Sequence, residues 1–295
     1  MSIKTTSRLA PAKINLYLEI KAKRPDGYHD IESVMQTVGI FDILTISRCH
    51  GDGKNISVEC TDKSLPCDET NLCYRAAKSF FETAGIDCYN TEIKVEKHIP
   101  MAAGLGGGSS DAAAVLTLLN ELYETGFTEE QLCGIGSKIG ADVPFCIIQG
   151  ISITRGIGDL FSPCAPLPEC YFVIACAGEG ISTPWAYKRL DEMYDFTSRG
   201  VSADRFAAAL DNGELSCIVS EMTNIFESVV LPEREMARRI RGLLMECGAM
   251  GAMMSGSGPS VFGVFRTEQA ANDAKDKLAS EGIAAYTCKP YYPAK

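Results

Sequence analysis

A chain of 295 residues with 46% hydrophobic and 22% charged side chains has the makeup of a globular protein large enough for two cores, which excludes disorder and collagen-like repetition. A formal net charge of −10 repels polyanions and provides no basic footprint, so no nucleic-acid partner is expected and any phosphate must be held by a local device. Apolar runs such as 112–116 and 171–177 fall far short of the roughly 18 residues a bilayer crossing needs, and Lys4, Arg8 and Lys13 interrupt what would be a signal peptide's apolar stretch; no membrane partner is expected and the protein reads as cytoplasmic.

The thirteen cysteines are odd in number, form no CxxC pair and mostly lie in apolar runs, so they read as reduced core residues. His29, His50 and His98 show no zinc-like spacing with them.

In chain order, Ile14, Leu16, Leu18 and Ile20 alternate with Lys13, Asn15, Tyr17 and Glu19. This is the two-residue period of a strand with one buried face, and it points Lys13 and Asn15 the same way. Residues 43–46, 56–58 and 91–95 read as further strands, 71–84 as a helix stopped by Gly85, and 109–123 as a second, Ala- and Leu-rich helix. A third helix opens on the capping box Thr128/Gln131 and closes at Gly140. Residues 145–148 and 151–154 flank Gln149-Gly150 as a hairpin. Pro163, Pro166 and Pro168 then crowd a stretch that can be neither helix interior nor central strand. They divide the chain into an N-terminal domain, 1–161, and a C-terminal domain, 162–295.

The second part reads as a strand at 171–176, helices at 185–193, 203–210 and 215–222, and a long helix at 232–247 that buries Met236, Ile240, Leu243, Leu244 and Cys247 on one face. Strands at 249–254 and 261–265, a helix at 268–280 and a last strand at 284–288 follow. That order suggests a layered α+β domain of ferredoxin-like type.

The stretch Pro100-Met101-Ala102-Ala103-Gly104-Leu105-Gly106-Gly107-Gly108-Ser109-Ser110-Asp111 lies between an expected strand and an expected helix. Glycines free the backbone to turn with its N–H groups exposed, and a helix start adds unpaired N–H groups and partial positive charge. It is neither a Walker A loop nor a dinucleotide fingerprint, since no GxxxxGK[ST] occurs and Ser109 stands where a third glycine belongs. On these residues alone an anion cradle and an ordinary flexible loop both stay open.

This stretch resembles the phosphate loop of the GHMP small-molecule kinases, which reads roughly P-x-x-x-G-L-G-x-S-S-x-A with an extra glycine in some branches. Pro11-Ala12-Lys13-Ile14-Asn15-Leu16 and Ser255-Gly256-Ser257-Gly258-Pro259-Ser260 resemble two further motifs of the superfamily, in the same order, so the likeness covers nearly the whole chain. Within it, Lys13-Ile14-Asn15-Leu16, Arg24-Pro25-Asp26-Gly27-Tyr28-His29 and Gly140-Ala141-Asp142-Val143-Pro144 are similar to the family of 4-diphosphocytidyl-2-C-methyl-D-erythritol kinases, enzymes of the non-mevalonate route to isoprenoids.

The resemblance implies an α+β, two-domain GHMP kinase fold, with an N-terminal ribosomal-protein-like α/β domain and a C-terminal ferredoxin-like α+β domain. It implies transfer of a phosphoryl group from ATP, with Mg2+ carried by the nucleotide, to the 2-hydroxyl of a small-molecule substrate with a cytidine diphosphate group, by a monomer or homodimer. Asp142 resembles the catalytic base, and Lys13 the cation that keeps it ionised and steadies the transferring phosphoryl. Lys97 and the run Pro100, Met101, Ala102, Ala103, Gly104, Leu105, Gly106, Gly107, Gly108, Ser109 and Ser110 correspond to the ATP-binding residues. Ser109 and Ser110 can cap the helix or face magnesium, and Asp111 is a candidate acid for the metal although no separate protein ligand is assigned.

For the substrate, Asn15 resembles a phosphate or substrate contact, Tyr28 a ring stacked on cytosine and His29 a hydrogen-bonding partner of its edge. Thr183 and Tyr187 correspond to a segment closing over the substrate, with Tyr187 on the second face of the cytosine. Gly256, Ser257 and Gly258 correspond to a loop whose backbone approaches the substrate's phosphates or buttresses the first glycine loop. Without the resemblance, Lys13 and Asn15 read as solvated strand residues, Asp142 as a turn cap and Tyr187 as core. A kinase for homoserine or mevalonate would need no base-stacking Tyr28, and an RNA-binding module would need the basic stripe this chain lacks.

Overall fold

Two long strands open the chain, β1 (Lys4–Lys23) and β2 (His29–Arg48). From Ala10 to Ile20 every residue of β1 is buried, which corrects the expected single apolar face. Lys13, Asn15, Tyr17 and Glu19 alternate with the aliphatic residues because they occupy a second, polar interior, and not because they meet solvent. The structure, a computed structural model, describes residues 4–49, 53–87, 89–178, 180–196 and 202–293. Two units make up the chain: Met1–Ala12, Ile40–Ile99 and Gly106–Ile148 form the first, and Lys13–Gly39, Pro100–Leu105 and Gln149–Lys295 the second.

In the first unit, β3 (Lys54–Cys60), α1 (Leu72–Ala84), β4 (Tyr89–Glu96), α2 (Gly107–Tyr123), α3 (Glu129–Gly136) and α4 (Val143–Ile148) follow the strand segments. β3 runs parallel to β4, and β4 antiparallel to the end of β2, pairing Ile43 with Glu96 and Arg48 with Thr91. Helix α1 starts where the Asn71 side chain accepts from the Cys73 amide at 2.8 Å, and stops at Gly85, whose φ of 64° only glycine takes cheaply. Phe80 and Phe81 carry its buried face, with Phe81 stacked on Tyr89 at 3.9 Å. The capping box of α3 is present as expected, with Gln131 N donating to Thr128 Oγ1 at 3.2 Å.

The hairpin expected over 145–154 does not form. Residues 143–148 are the helix α4, with Pro144 at its second position, where a missing N–H costs nothing. The positive φ values of Gln149 (60°) and Gly150 (71°), which also suit a tight hairpin turn, instead end this helix. Val143 is therefore helical and not extended, despite the proline after it.

In the second unit come β5 (Ile151–Arg155), β6 (Leu160–Pro163), β7 (Tyr171–Cys176), α5 (Thr183–Met193), α6 (Ala203–Asn212), α7 (Leu215–Ser220), β8 (Thr223–Asn224), α8 (Glu227–Val230), a 3-10 turn at Leu231–Glu233, α9 (Glu235–Glu246), β9 (Gly251–Met254), β10 (Ser260–Phe265), α10 (Glu268–Ser280) and β11 (Ala285–Cys288). β5 pairs antiparallel with residues 33–36 of β2 and with β6, and β8 lies parallel to β1 at Tyr17 and Leu18. The antiparallel order β11-β7-β10-β9, with the buried stripes of α9 and α10 on it, is the ferredoxin-like arrangement. In α9 the stripe is Ala237, Ile240 and Leu244, while Met236, expected inside, is 40% exposed. The helix begins three residues later than its apolar pattern suggested, and the buried stripe centres on the Ala237 side, which leaves Met236 at its edge.

The twelve described cysteines are free thiols. Burial pushes Cys170 and Cys288 up to about 12, so they stay protonated core residues. No helix among the described residues is long and apolar enough to cross a membrane.

Candidate active site

The glycine-rich stretch is assembled by backbone contacts. Gly104 has φ 77°, and a Cβ there would lie 2.3 Å from the Ser255 carbonyl oxygen and 3.1 Å from that of Gly258. Two turns thus pack main chain against main chain, which only glycine permits. Ser255 Oγ donates to the Gly104 carbonyl at 3.0 Å, Ser260 N to the Ala103 carbonyl at 3.1 Å, and Lys13 N to the Leu105 carbonyl at 2.9 Å. Ala102, itself at φ 49°, packs against Gly180, where a Cβ would come within 2.8 Å of its own. Pro100 is half-buried and Met101 exposed, so of residues 100–109 only Ala103 and Leu105 are anchored in the interior, with Ser110 buried after them.

Asn224, which sequence reasoning missed, organises the facing turn. Its Nδ2 donates to the Met254 and Gly256 carbonyls at 2.7 and 2.8 Å, and its Oδ1 accepts from Phe226 N at 3.0 Å. A two-residue strand carries no periodic signal that could have marked it. Gly256, at φ 57°, lies where an added Cβ would be 3.5 Å from Asn15 Oδ1. Lys13 Nζ donates to that oxygen at 2.8 Å, Asn15 Nδ2 donates to Ser33 Oγ at 2.8 Å, and Ser33 Oγ donates to the Tyr17 carbonyl at 2.7 Å. The chain of bonds fixes which way the Asn15 amide faces and holds the Lys13 ammonium in a buried position.

The turn before β2 is an Asx turn: Tyr28 N donates to Asp26 Oδ1 at 3.1 Å, Gly27 takes φ 88°, and the Tyr28 ring is left 63% exposed. His29 turns inward. Tyr187 stacks on its imidazole at 4.7 Å and 27°, Phe196 meets it edge-on at 5.8 Å, and its Nε2 is 2.7 Å from Asp191 Oδ1. Asp191 also accepts from Lys23 Nζ at 2.5 Å. Burial raises the affinity of Asp191 for a proton, but the hydrogen bonds from Lys23 and His29 outweigh it and hold the carboxyl below its ordinary range. Thr183 Oγ1 and Ser257 Oγ share a hydrogen bond of 2.9 Å. The structure therefore joins Thr183 to Ser257, His29 to Tyr187, and Asn15 to the Gly256 turn.

In the first unit, Gly106 and not Ser109 takes the N-cap position of α2, at φ 68° and with no side-chain cap among the described residues. The serines fall inside the first turn because Gly104 and Gly106, at positive φ, already make the bend and the helix begins at Gly107. The first-turn amides, which have no helical carbonyl to receive them, are thereby left without a capping side chain, as an anion site requires. Lys97 lies under this turn, 3.3 Å from where a Cβ on Gly107 would be. It donates to Asp111 Oδ2 at 2.7 Å and to Asp42 Oδ2, while Asp42 Oδ1 accepts from His98 N at 2.6 Å and Ile99 N at 2.9 Å.

Asp42 is fully buried and was not singled out from sequence, since its β2 segment reads as a plain strand. Burial above all pushes Asp111 up to about 7, with Asp42 adding to the rise and Lys97 opposing it. Burial alone would lower Lys97, but the two carboxylates prevail and raise it. Ser110 Oγ and Asp111 Oδ1 are buried without a hydrogen-bond partner among the described residues.

Ser109 Oγ is 3.8 Å from where a Cβ on Gly140 would stand, so the α2 start adjoins the corner that carries Asp142. That corner is a turn closed by Val143 N donating to the Gly140 carbonyl at 3.2 Å, and Asp142 precedes α4, its carbonyl accepting from Cys146 N at 3.1 Å. Among the described residues, no three His, Cys, Asp or Glu side chains cluster as a metal site.

Residues 71–150 match the GHMP kinases N terminal domain and residues 206–284 the GHMP kinases C terminal domain. A 4-diphosphocytidyl-2-C-methyl-D-erythritol kinase of Alkaliphilus metalliredigens is 40% identical over 91% of this chain and 90% of its own. One of Exiguobacterium sibiricum is 42% identical over 89% of this chain and 90% of its own. The crystal structure of a 4-(cytidine 5'-diphospho)-2C-methyl-D-erythritol kinase superposes with a TM-score of 0.82 at 30% identity, over 98% of this chain and 100% of that one. A mevalonate kinase from L. major, at 15% identity and a TM-score of 0.76, shares the fold alone. With identities of this size running through both halves of the chain, the protein belongs to the 4-diphosphocytidyl-2-C-methyl-D-erythritol kinase family of GHMP kinases.

Proposed function

We infer that this protein transfers the γ-phosphoryl group of ATP to the 2-hydroxyl of 4-diphosphocytidyl-2-C-methyl-D-erythritol. The observation that carries the reading is the uncapped start of α2 beside the Gly140–Asp142 corner: a place for phosphate oxygens next to a carboxylate that can receive a proton. Phosphoryl transfer asks a protein mainly to align reactants and neutralise charge.

In this reading the Asp142 carboxylate takes the proton of the 2-hydroxyl as its oxygen bonds to the γ-phosphorus. The bond from that phosphorus to the β,γ-bridging oxygen breaks, and its electron pair leaves with ADP. The Lys13 ammonium, held by Asn15, offsets negative charge on the transferring group. No covalent enzyme intermediate forms. The unpartnered Ser110 hydroxyl and Asp111 Oδ1 are the groups that fit a magnesium ion arriving with the nucleotide. Such an ion supplies charge neutralisation at the phosphate oxygens. Tyr28, His29 and Tyr187 bind the cytidine end, and Thr183 and the 256–258 turn its phosphates. The reading carries with it domains at 1–161 and 162–295 and a cytoplasmic enzyme acting as monomer or homodimer.

Incubation with ATP, magnesium and the diphosphocytidyl alcohol should produce a new phosphomonoester signal by phosphorus NMR. Asp142→Asn should lower kcat by orders of magnitude while ATP still binds. Wild-type turnover in that variant would refute the base assignment.

A further inference from the structure

His29 makes one ring hydrogen bond among the described residues, between Nε2 and Asp191, while Tyr187 stacks on its ring and Phe196 lies T-shaped to it. Asp191 lies one helical turn beyond Tyr187 on α5, so stacking partner and carboxylate arrive on the same helix face. A carboxylate held below its ordinary range is an acceptor only, so the proton of this bond belongs to the imidazole. Lys23, bound to the other oxygen, keeps Asp191 ionised and in place.

We propose that Asp191 is a specificity-positioning residue, which fixes His29 as the Nε2–H tautomer and leaves the Nδ1 lone pair as the ring's only polar group for a nucleobase. This rests on the reading of His29 as the partner of the base edge. A neutral imidazole with its proton on Nε2 accepts at Nδ1. It matches the exocyclic amine of a 4-aminopyrimidine, which donates, and opposes the 4-oxo group of uracil, which places a second lone pair against the first. The protein would thus select cytidine over uridine diphosphates by a proton placed from the far side of the ring.

Asp191→Asn gives an inverted test. Lys23 recruits the amide oxygen, so the amide NH2 is aimed at Nε2, which must then accept, and the ring proton moves to Nδ1. With three histidines in the chain, long-range 1H–15N correlation spectra can assign the tautomer of His29 directly. The wild type should show a protonated Nε2 and a bare Nδ1, and the variant the reverse. CDP should compete with the acceptor substrate better than UDP in the wild type, by roughly ten- to a hundredfold for one mismatched buried hydrogen bond. In Asp191→Asn that preference should shrink or invert, with KM for the acceptor raised and kcat close to wild type.

A wild-type His29 protonated on Nδ1 would overturn the proposal and leave the kinase reading standing. A flipped tautomer with unchanged CDP preference would also overturn it. Absence of any competition by CDP would overturn the reading of His29 as the base contact, and the proposal with it.

Discussion

Gly104→Ala puts the contact between the two glycine turns to a quantitative test. The new Cβ would stand 2.3 Å from the Ser255 carbonyl oxygen, about 1 Å inside normal carbon–oxygen contact. That oxygen cannot swing aside, because Ser255 N donates to the Ser260 carbonyl at 2.9 Å and Ser255 Oγ to the Gly104 carbonyl at 3.0 Å. The left-handed φ of 77° adds about 1–2 kcal/mol for a side chain that glycine does not carry, and loss of the serine bond about 1 kcal/mol more. The sum is roughly 2–3 kcal/mol of stability, with the loop displaced by about 1 Å. A misplacement of that size costs about a hundredfold in a reaction that depends on alignment.

Urea denaturation and steady-state kinetics in ATP measure both effects. Gly126→Ala is the control: its φ is 69°, yet an added Cβ meets nothing within 4 Å, so it should pay the conformational cost and keep its kinetics. If Gly104→Ala has the same kcat/KM for ATP as Gly126→Ala, the packing argument is wrong.

Lys97→Met leaves Asp42 and Asp111 buried without their shared cation, which should cost about 3–5 kcal/mol at pH 8 by urea titration and less at pH 5, where a proton can replace the lysine. Because the folded state holds the Asp111 proton up to about pH 7 and the unfolded chain releases it near 3.8, stability should fall by a few kcal/mol as pH rises between those values and level off above them. Asp111→Asn should flatten that slope; an unchanged slope would assign it to another group. Asn224→Ala orphans the Met254 and Gly256 carbonyls and should cost roughly 2–4 kcal/mol while raising KM; a stability within 0.5 kcal/mol of wild type, on the order of a neutral surface change, would show that water replaces the amide.

The elements legible in the sequence were those with a period and a stop signal of their own. Helix α1 between Asn71 and Gly85 and helix α10 match their expected spans closely, because caps and amphipathic stripes are local, while α3 opens on its expected capping box but ends at Gly136, four residues short of the expected stop at Gly140. Helix α4 was misread because six apolar residues are too few to show a period, and the Gln149-Gly150 pair serves a helix end as readily as a hairpin. The alternation in β1 was real but its meaning was not, since polar residues that satisfy one another indoors look in sequence like residues facing water. The candidate site was legible as three motifs. Its supports were not: Asp42, Ser33, Asp191 and Asn224 owe their importance to partners at least 16 positions away, and no local pattern records such a pairing.

The buried trio of Asp42, Lys97 and Asp111 has a bookkeeping consequence for any phosphate that comes to α2. One ammonium between two acids is balanced only while Asp111 keeps its proton, and that proton is half-released around neutrality. A polyanion settling over the same helix turn without its metal ion makes the second negative charge less welcome and strengthens Asp111's hold on hydrogen, whereas a magnesium ion on Asp111 Oδ1 would loosen it. Reciprocity then obliges acidification to strengthen the hold on the metal-free polyanion and to weaken the hold on its magnesium complex: near pH 7, proton and metal ion become rivals for one carboxyl.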